Sequence, residues 1–505
     1  MTSLTRNGYK VQKSTIPNIE VLKKELTVKP YVPAVFVNPR YVKKYEVFSE
    51  TENYIYVPKQ FGIKRWGEPV LEVTEVSSDR WTFAGSLRPA QLEVVDSYLK
   101  PEPHDGMICL QTGGGKTVCA LYIASQLKVK TLIIVHNTFL RDQWFDRIKC
   151  FLPNIRISAL NDDDSNDINI KNFTIRKYED GSIKYKNGDD TPNFKLIKNI
   201  KKSEIEKLAN AIGCNHTIED IINKIPEFTQ QCDIMIGMLQ RISMRDIPKE
   251  TFRGFGLTII DECHHIASEV FVQAFQKVTS KHMLGLSATP DRKDGLMYVI
   301  EWFLGPILYR SESGDKVDDL VRVEYYKHEP DDVEFNRILY NNQGVMNVAG
   351  MVNKLADFKP RTELIINILK DILENEPERQ ILVLTDRVQH CKDLMDLLDP
   401  EKAAILAQNV PSAKRTEFCN SKKVLIATYS MCKEGFDVAS LNTLVMATPR
   451  PDIDQIVGRI LRTEKSKRTV HPLIVDIVDS TFRRQFQARL KLYKDRNYVV
   501  EEMKI

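Results

Sequence analysis

The sequence has no apolar run near the roughly 20 residues that cross a bilayer, and its first stretch, MTSLTRNGYKVQKSTIP, lacks the apolar core of a secretory signal. No membrane partner is expected. The nine cysteines are odd in number and scattered, with no Cys-x-x-Cys pair. That argues against a disulfide framework or a zinc ribbon and fits an intracellular, reducing compartment. A dominant charge sign is also missing, since 72 Lys+Arg stand against 68 Asp+Glu for a net +4. A highly basic packaging protein and an acidic tail protein are thereby excluded, whereas a locally basic, nucleic-acid-binding face is not. There is no internal repeat and no low-complexity tract. What remains is an ordinary globular composition, 42% hydrophobic and 28% charged over 505 residues, enough for roughly three or four domains.

Residues 1–82 alternate short β-rich runs (YVPAVFV, YEVF, YIYVP) with turn residues, and read as a small β-containing accessory domain. From residue 83 the pattern changes. RPAQLEVVDSYL has helical spacing with Pro89 in its first turn. MICLQ, TLIIVHN, CDIMIGM and LTIIDE are nearly continuous apolar runs, as expected of parallel strands covered on both faces. The rhythm restarts after about residue 320 with ILVLTD, AAILA, KVLIAT, TLVMAT and PLIVDI. The expected class is therefore α/β, with two parallel-sheet units over 83–306 and 322–482, a linker over 307–321 and a basic tail or helix over 483–505. An insert at about 162–230 interrupts the first unit. It is read as a hairpin over 173–187 turning at Asp180-Gly181, then a helix capped by Ser203 with Glu206, and a second short helix opened by Thr217 and Asp220.

LQTGGGKT (110–117) follows one apolar run and precedes the helical VCALYIASQL, the strand–loop–helix context of a phosphate-binding loop. Gly113, Gly114 and Gly115 let backbone N–H groups turn toward phosphate oxygens. Lys116 can reach the β- and γ-phosphates of ATP, and the Thr117 hydroxyl can ligate Mg²⁺. The strict pattern asks for Gly at position 110, where Leu stands. IIDECHH (259–265) ends another apolar run. Asp261 is placed to hold Mg²⁺ and Glu262 to orient or deprotonate water; the bland alternative is a carboxylate capping a helix. Cys263 and His264 have no metal-ligand spacing, and a histidine there more often couples loops.

In this order the segments resemble superfamily two helicases and translocases, over roughly residues 85–480. Gln91 in LRPAQ resembles the adenine-reading glutamine, LQTGGGKT motif I, DECH motif II, GLSATPDRKDG motif III, ATYSMCKEGFDV motif V and QIVGRILR motif VI. The resemblance implies two RecA-like lobes in tandem with ATP between them. Arg459 and Arg462, three residues apart on one helical face, would act as arginine fingers. Gln455 shares capping-box spacing with Asp452, and the alternative for this helix is a solvated face. Gly435 and Asp437 would approach the nucleotide, while Ser287, Thr289 and Gln455 would couple hydrolysis to the polymer. Nucleic-acid contacts would come from His136, Asn137 and Thr138, from Gln240 and Arg241, from Arg387 and from Thr428.

DECH and QxxGRxxR depart from the DEAD-box pattern and look more like the group containing XPB and the restriction translocases, which favours duplex DNA; RNA is the alternative. The layout and preface resemble transcription helicases of large cytoplasmic DNA viruses. That implies transcription or replication proteins as partners, in the host cytoplasm or virion. An ATP-gated clamp that does not step is the third reading. The tail, with Phe486, Tyr493 and Tyr498 among basic residues, is read as a packed helix in preference to a stacking platform.

Overall fold

The computed structural model describes every residue except 1, 32–42, 112, 161–165, 171–172, 178–181, 188–194, 213–216, 220, 222–231, 246, 248, 266–268, 289–293, 312–319, 343, 408–409, 411, 434–437, 439, 452, 462–467 and 505. The chain divides into two compact units, Met1–Leu110 with Gly114–Ser311, and Gln111–Gly113 with Glu312–Ile505.

The first unit is built on an 11-stranded sheet. Its parallel part runs, edge to edge, Ile157–Leu160, Ile234–Met238, Thr131–Val135, Leu257–Ile260, His282–Ser287, Gly106–Cys109 and Ile307–Arg310. Thr131–Val135 is buried at every position. Neither of its faces meets water, which is why the sequence shows a continuous apolar run instead of alternation. This strand order builds the site. The strand leading into the glycine-rich loop and the strand leading into DECH lie on either side of His282–Ser287, so all three release their loops at the same carboxyl edge.

The insert continues this sheet with antiparallel strands Asn166–Ile170, Phe173–Lys177, Ile183–Asn187 and Lys195–Leu196. The hairpin expected over 173–187 forms, with Lys177 opposite Ile183; its turn residues Asp180 and Gly181 lie outside the described residues. The following helix spans Lys202–Ile212. It starts before Ser203, because the Lys201 N–H donates to Glu204 Oε2 at 3.4 Å and so closes the first turn. Of the second short helix, Ile221 N–H donates to Thr217 O at 3.1 Å, and Asp220 lies outside the described residues. Ile175, Tyr185, Ile197 and Leu208 give the insert a core of its own.

The amino-terminal region forms a five-stranded sheet, ordered Ser49–Glu50, Tyr54–Val57, Gly8–Gln12, Ser3–Thr5 and Val70–Leu71. Most of YVPAVFV lies outside the described residues. Tyr9, Leu26, Ile55 and Phe61 join one hydrophobic cluster with Met107, Ile260 and Phe275, so this preface is fused to the first lobe by a shared core. The linker expected over 307–321 begins later, since Ile307–Arg310 pairs with the Gly106–Cys109 strand.

The second unit is a seven-stranded parallel sheet in the order Ala403–Leu406, Val424–Thr428, Ile381–Thr385, Thr443–Met446, Leu473–Asp479, Arg322–His328, Val499–Met503. The tail supplies a helix, Arg483–Asp495, and the last edge strand. Phe486, Tyr493 and Tyr498 are buried, so its aromatics are core residues and not an exposed stacking surface. Among the described residues no helix is long and apolar enough to cross a membrane.

One buried histidine makes this unit sensitive to acid. His390 is 1% exposed between the Thr362 and Thr385 hydroxyls. Burial, helped by Arg361, pushes its imidazole down to about 4. The neutral form is the folded one, so stability is complete above the ordinary histidine range and is lost as pH falls toward 4. By pH 5 the expected loss is about 2 kcal/mol. Urea unfolding at pH 7 and pH 5 should show a steeper decline for the wild type than for His390→Asn; equal declines would contradict this.

Candidate active site

The helix Lys116–Leu127 follows the glycine loop directly, and Lys116 is its first residue. Gly113 and Gly115 have φ of +84° and +89°, values that L side chains rarely adopt. At Gly115 a Cβ would also lie 2.1 Å from Gln91 Nε2. Gln91 is buried and its Oε1 accepts the Arg88 N–H at 2.9 Å. Its Nε2 lies 3.4 Å from Gly114 O, and Arg88 Nη2 donates to the same carbonyl at 3.2 Å. Gln91 and Arg88 thus brace the loop from the preceding helix. Gly115→Ala should raise the KM for ATP at least about tenfold and cost roughly 1–2 kcal/mol of stability, measured by steady-state kinetics and thermal unfolding. An unchanged KM would contradict the tight fit.

Asp261 and Glu262 follow the Leu257–Ile260 strand. Trp144 reaches them from the helix Thr138–Phe151, its indole N–H donating to Asp261 Oδ2 at 2.9 Å. The Glu262 N–H donates to Asp261 Oδ1 at 2.9 Å. Burial, then the Glu262 charge, raises Asp261 to about 6. Glu262 adopts φ +49°, a left-handed conformation that costs a non-glycine residue energy and collects at functional sites. Lys116 Nζ lies 3.5 Å from Glu262 Oε1. On the other side, His264 Nδ1 lies 3.3 Å from Glu262 Oε2 and 2.9 Å from Ser287 Oγ. Ser287, fully buried, ends the strand between the two loops. Lys116, Glu262, His264 and Ser287 thus stand in successive close polar contact, both of these contacts of His264 being made at Nδ1. Cys263 is buried, its thiol pushed well up by burial, which removes it as a nucleophile. Among the described residues no group of three or more His, Cys, Asp and Glu side chains is placed to hold a metal ion.

The other sequence-derived candidates fare unequally. Thr117 is half-buried in the first turn, while Thr138 and Gln240 are exposed. Asn137 caps its helix by accepting the Leu140 N–H at 2.8 Å, and His136 Nε2 lies 3.1 Å from Asn137 Nδ2. Arg241 lies in the helix Leu239–Met244 and is 6% exposed. In the second unit, Arg387 donates to Asn353 Oδ1 and, at 3.1 Å, to Ala349 O. Thr428 Oγ1 pairs with Ser430 Oγ at 2.9 Å. Arg459 is 7% exposed. The helix expected to carry it spans only Asp454–Val457 and gives way to turns, with Arg459 N–H donating to Ile456 O at 3.0 Å. Arg462, Gly435, Asp437, Thr289 and Asp452 lie outside the described residues, as does the Gln455 side chain. Trp144 is not legible as a site residue in the sequence. It shares a helical face with Leu140 and Ile148, which reads as plain core.

A phosphate loop, an acidic pair one strand away and a second parallel sheet define a two-lobed, RecA-like P-loop ATPase. Residues 84–292 match the family described as type III restriction enzyme, res subunit. A putative ATP-dependent RNA helicase of Acanthamoeba polyphaga mimivirus is 30% identical, covering 99% of this chain and 86% of its own. A putative helicase of Invertebrate iridescent virus 6 is 27% identical, covering 84% of each. A DNA 3'-5' translocase of Sulfurisphaera tokodaii is 27% identical over 56% of this chain and 48% of its own length. The chain belongs to the superfamily two helicases, of the kind found in large DNA viruses, and is an ATP-dependent enzyme acting on nucleic acid.

Proposed function

We propose that the protein is a translocase that hydrolyses ATP to move along duplex DNA, unwinding or remodelling it, in viral transcription or DNA-intermediate processing in the host cytoplasm or virion. The observation that carries this is the succession of contacts from Lys116 through Glu262 and His264 to Ser287, which ties the phosphate site to the segment expected to couple to the polymer. ATP lies on the glycine loop, its phosphates held by backbone N–H groups and Lys116. Glu262 accepts the proton of the attacking water, and its strained backbone fixes the carboxylate's aim. Loss of the γ-phosphate changes the charge facing Glu262, and His264 Nδ1, 3.3 Å from Glu262 Oε2 and 2.9 Å from Ser287 Oγ, is placed to respond to it. Arg459 and Arg462 are read, from their likeness to the family's arginine fingers, as the groups that stabilise charge on the γ-phosphoryl.

The Thr117 hydroxyl and Asp261 carboxylate are hard oxygen donors and fit Mg²⁺. Burial, and after it the Glu262 charge, raise the Asp261 pKa, and a divalent cation beside the carboxylate would offset both. Bound there, the ion neutralises phosphate charge. Thr138 and Gln240, both exposed, are the first-lobe candidates read as gripping a backbone.

Duplex DNA is favoured by the DECH and QIVGRILR patterns and by the translocase relative. The RNA reading is supported by the name of the mimivirus relative. Displacement of a triplex-forming strand from duplex DNA, dependent on ATP, tests stepping. Hydrolysis without displacement would replace the motor by a clamp.

A further inference from the structure

The helix Asp454–Val457 is a single turn. One turn makes too few hydrogen bonds to hold itself, so the position of Arg459, just beyond it, is set by what surrounds it. Ile453, Ile456, Val457 and Ile460 are buried in a cluster that includes Tyr493 and Tyr498 of the tail. The segment that leads in, Thr448-Pro449-Arg450-Pro451, is tethered at several points. Tyr429 OH donates to Thr448 O at 2.6 Å. The Arg450 guanidinium pairs with Asp386 and lies 5.0 Å from the Tyr429 ring centre. From the carboxy-terminal helix, Arg489 Nη1 donates to Arg450 O at 2.7 Å. Arg489 is itself 1% exposed and aimed by Asp476, which accepts its Nε and Nη2 at 2.8 Å each. Tyr493 OH donates to the same carboxylate at 3.0 Å.

We propose that Arg489 is a positioning residue for ATP hydrolysis: its third N–H holds the Arg450 carbonyl and thereby fixes the entry, and so the reach, of the segment bearing Arg459. The proposal rests on reading Arg459 as the arginine finger. It makes the tail a working part of the ATPase. A buried ion pair serving stability alone would need only Asp476. A guanidinium has a fork for the carboxylate and a further donor for the loop, which a lysine cannot match in one geometry.

The test replaces the ion pair by apolar groups of similar volume, Asp476→Leu with Arg489→Met and Tyr493→Phe, a change that buried pairs often tolerate without loss of folding. Arg489→Lys serves as a second variant should the first not fold. Circular dichroism and cooperative thermal unfolding establish the fold. The expected result, with saturating nucleic acid, is a kcat lowered about 10- to 100-fold, with the KM for ATP and polymer affinity unchanged. Combining the variant with Arg459→Ala should lower kcat no further than Arg459→Ala alone. A folded variant with wild-type kcat beside an impaired Arg459→Ala would overturn the positioning role and leave the finger standing. Wild-type kcat in Arg459→Ala would overturn both.

Discussion

Glu262→Gln should lower ATP turnover by roughly 10²- to 10⁴-fold and leave ATP affinity within a few-fold of the wild type. The amide preserves size and can still accept from Lys116, which lies 3.5 Å from Oε1. What it cannot do is take a proton from water. The left-handed backbone at residue 262 belongs to the loop and should persist, held by the bond from its N–H to Asp261. Lys116→Ala should differ in kind. It removes the cation facing the phosphates and should weaken ATP binding together with turnover. Single-turnover hydrolysis and equilibrium binding of a fluorescent ATP analogue separate the two. Nucleic-acid-stimulated hydrolysis that survives both substitutions would refute the assignment of this site.

The largest expected effect on stability lies in the second unit. Arg361 is fully buried and donates to both oxygens of Asp479 at 2.8 Å, with a further bond to Ala447 O. Burial alone would raise the Asp479 pKa; Arg361 and the bonded His328 more than offset it and hold it below the ordinary range. Arg361→Ala leaves that carboxylate buried without its main partner and empties a large volume at the strand end. The expected cost is about 3–5 kcal/mol, read as a lowered urea midpoint for the second unit. A change under about 1 kcal/mol would mean that solvent reaches the pair.

Much of this architecture is legible in the chain because strands buried on both faces leave continuous apolar runs. Thr131–Val135, Ile381–Thr385 and Val424–Thr428 all announce themselves in this way. Arg322–His328 does not. It carries Arg, Glu, Lys and His among its apolar residues and is only partly buried. Val499–Met503 is an edge strand with two glutamates, and its polarity hides it. The same division runs through the site. Lys116, Asp261 and Glu262 stand in local motifs whose geometry is set by a strand, a turn and a helix. The links through Trp144, His264 and Ser287 depend on which strands become neighbours, and no local pattern encodes that. Helical spacing misleads at Arg459, where the turn ends at Val457 and tertiary packing takes over. Arg241, read as a loop residue, lies instead in the helix Leu239–Met244 and is buried there.

If the protein is a duplex translocase, hydrolysis at this site is driven by duplex DNA. Steady-state ATPase activity decides it, taken with no polymer, single-stranded DNA, duplex DNA and RNA. Each is measured at two salt concentrations, because phosphate-backbone binding weakens steeply with salt. The expected result is strong stimulation by duplex DNA that declines at the higher salt. Stimulation by RNA alone would contradict the duplex reading and make the enzyme an RNA remodeller.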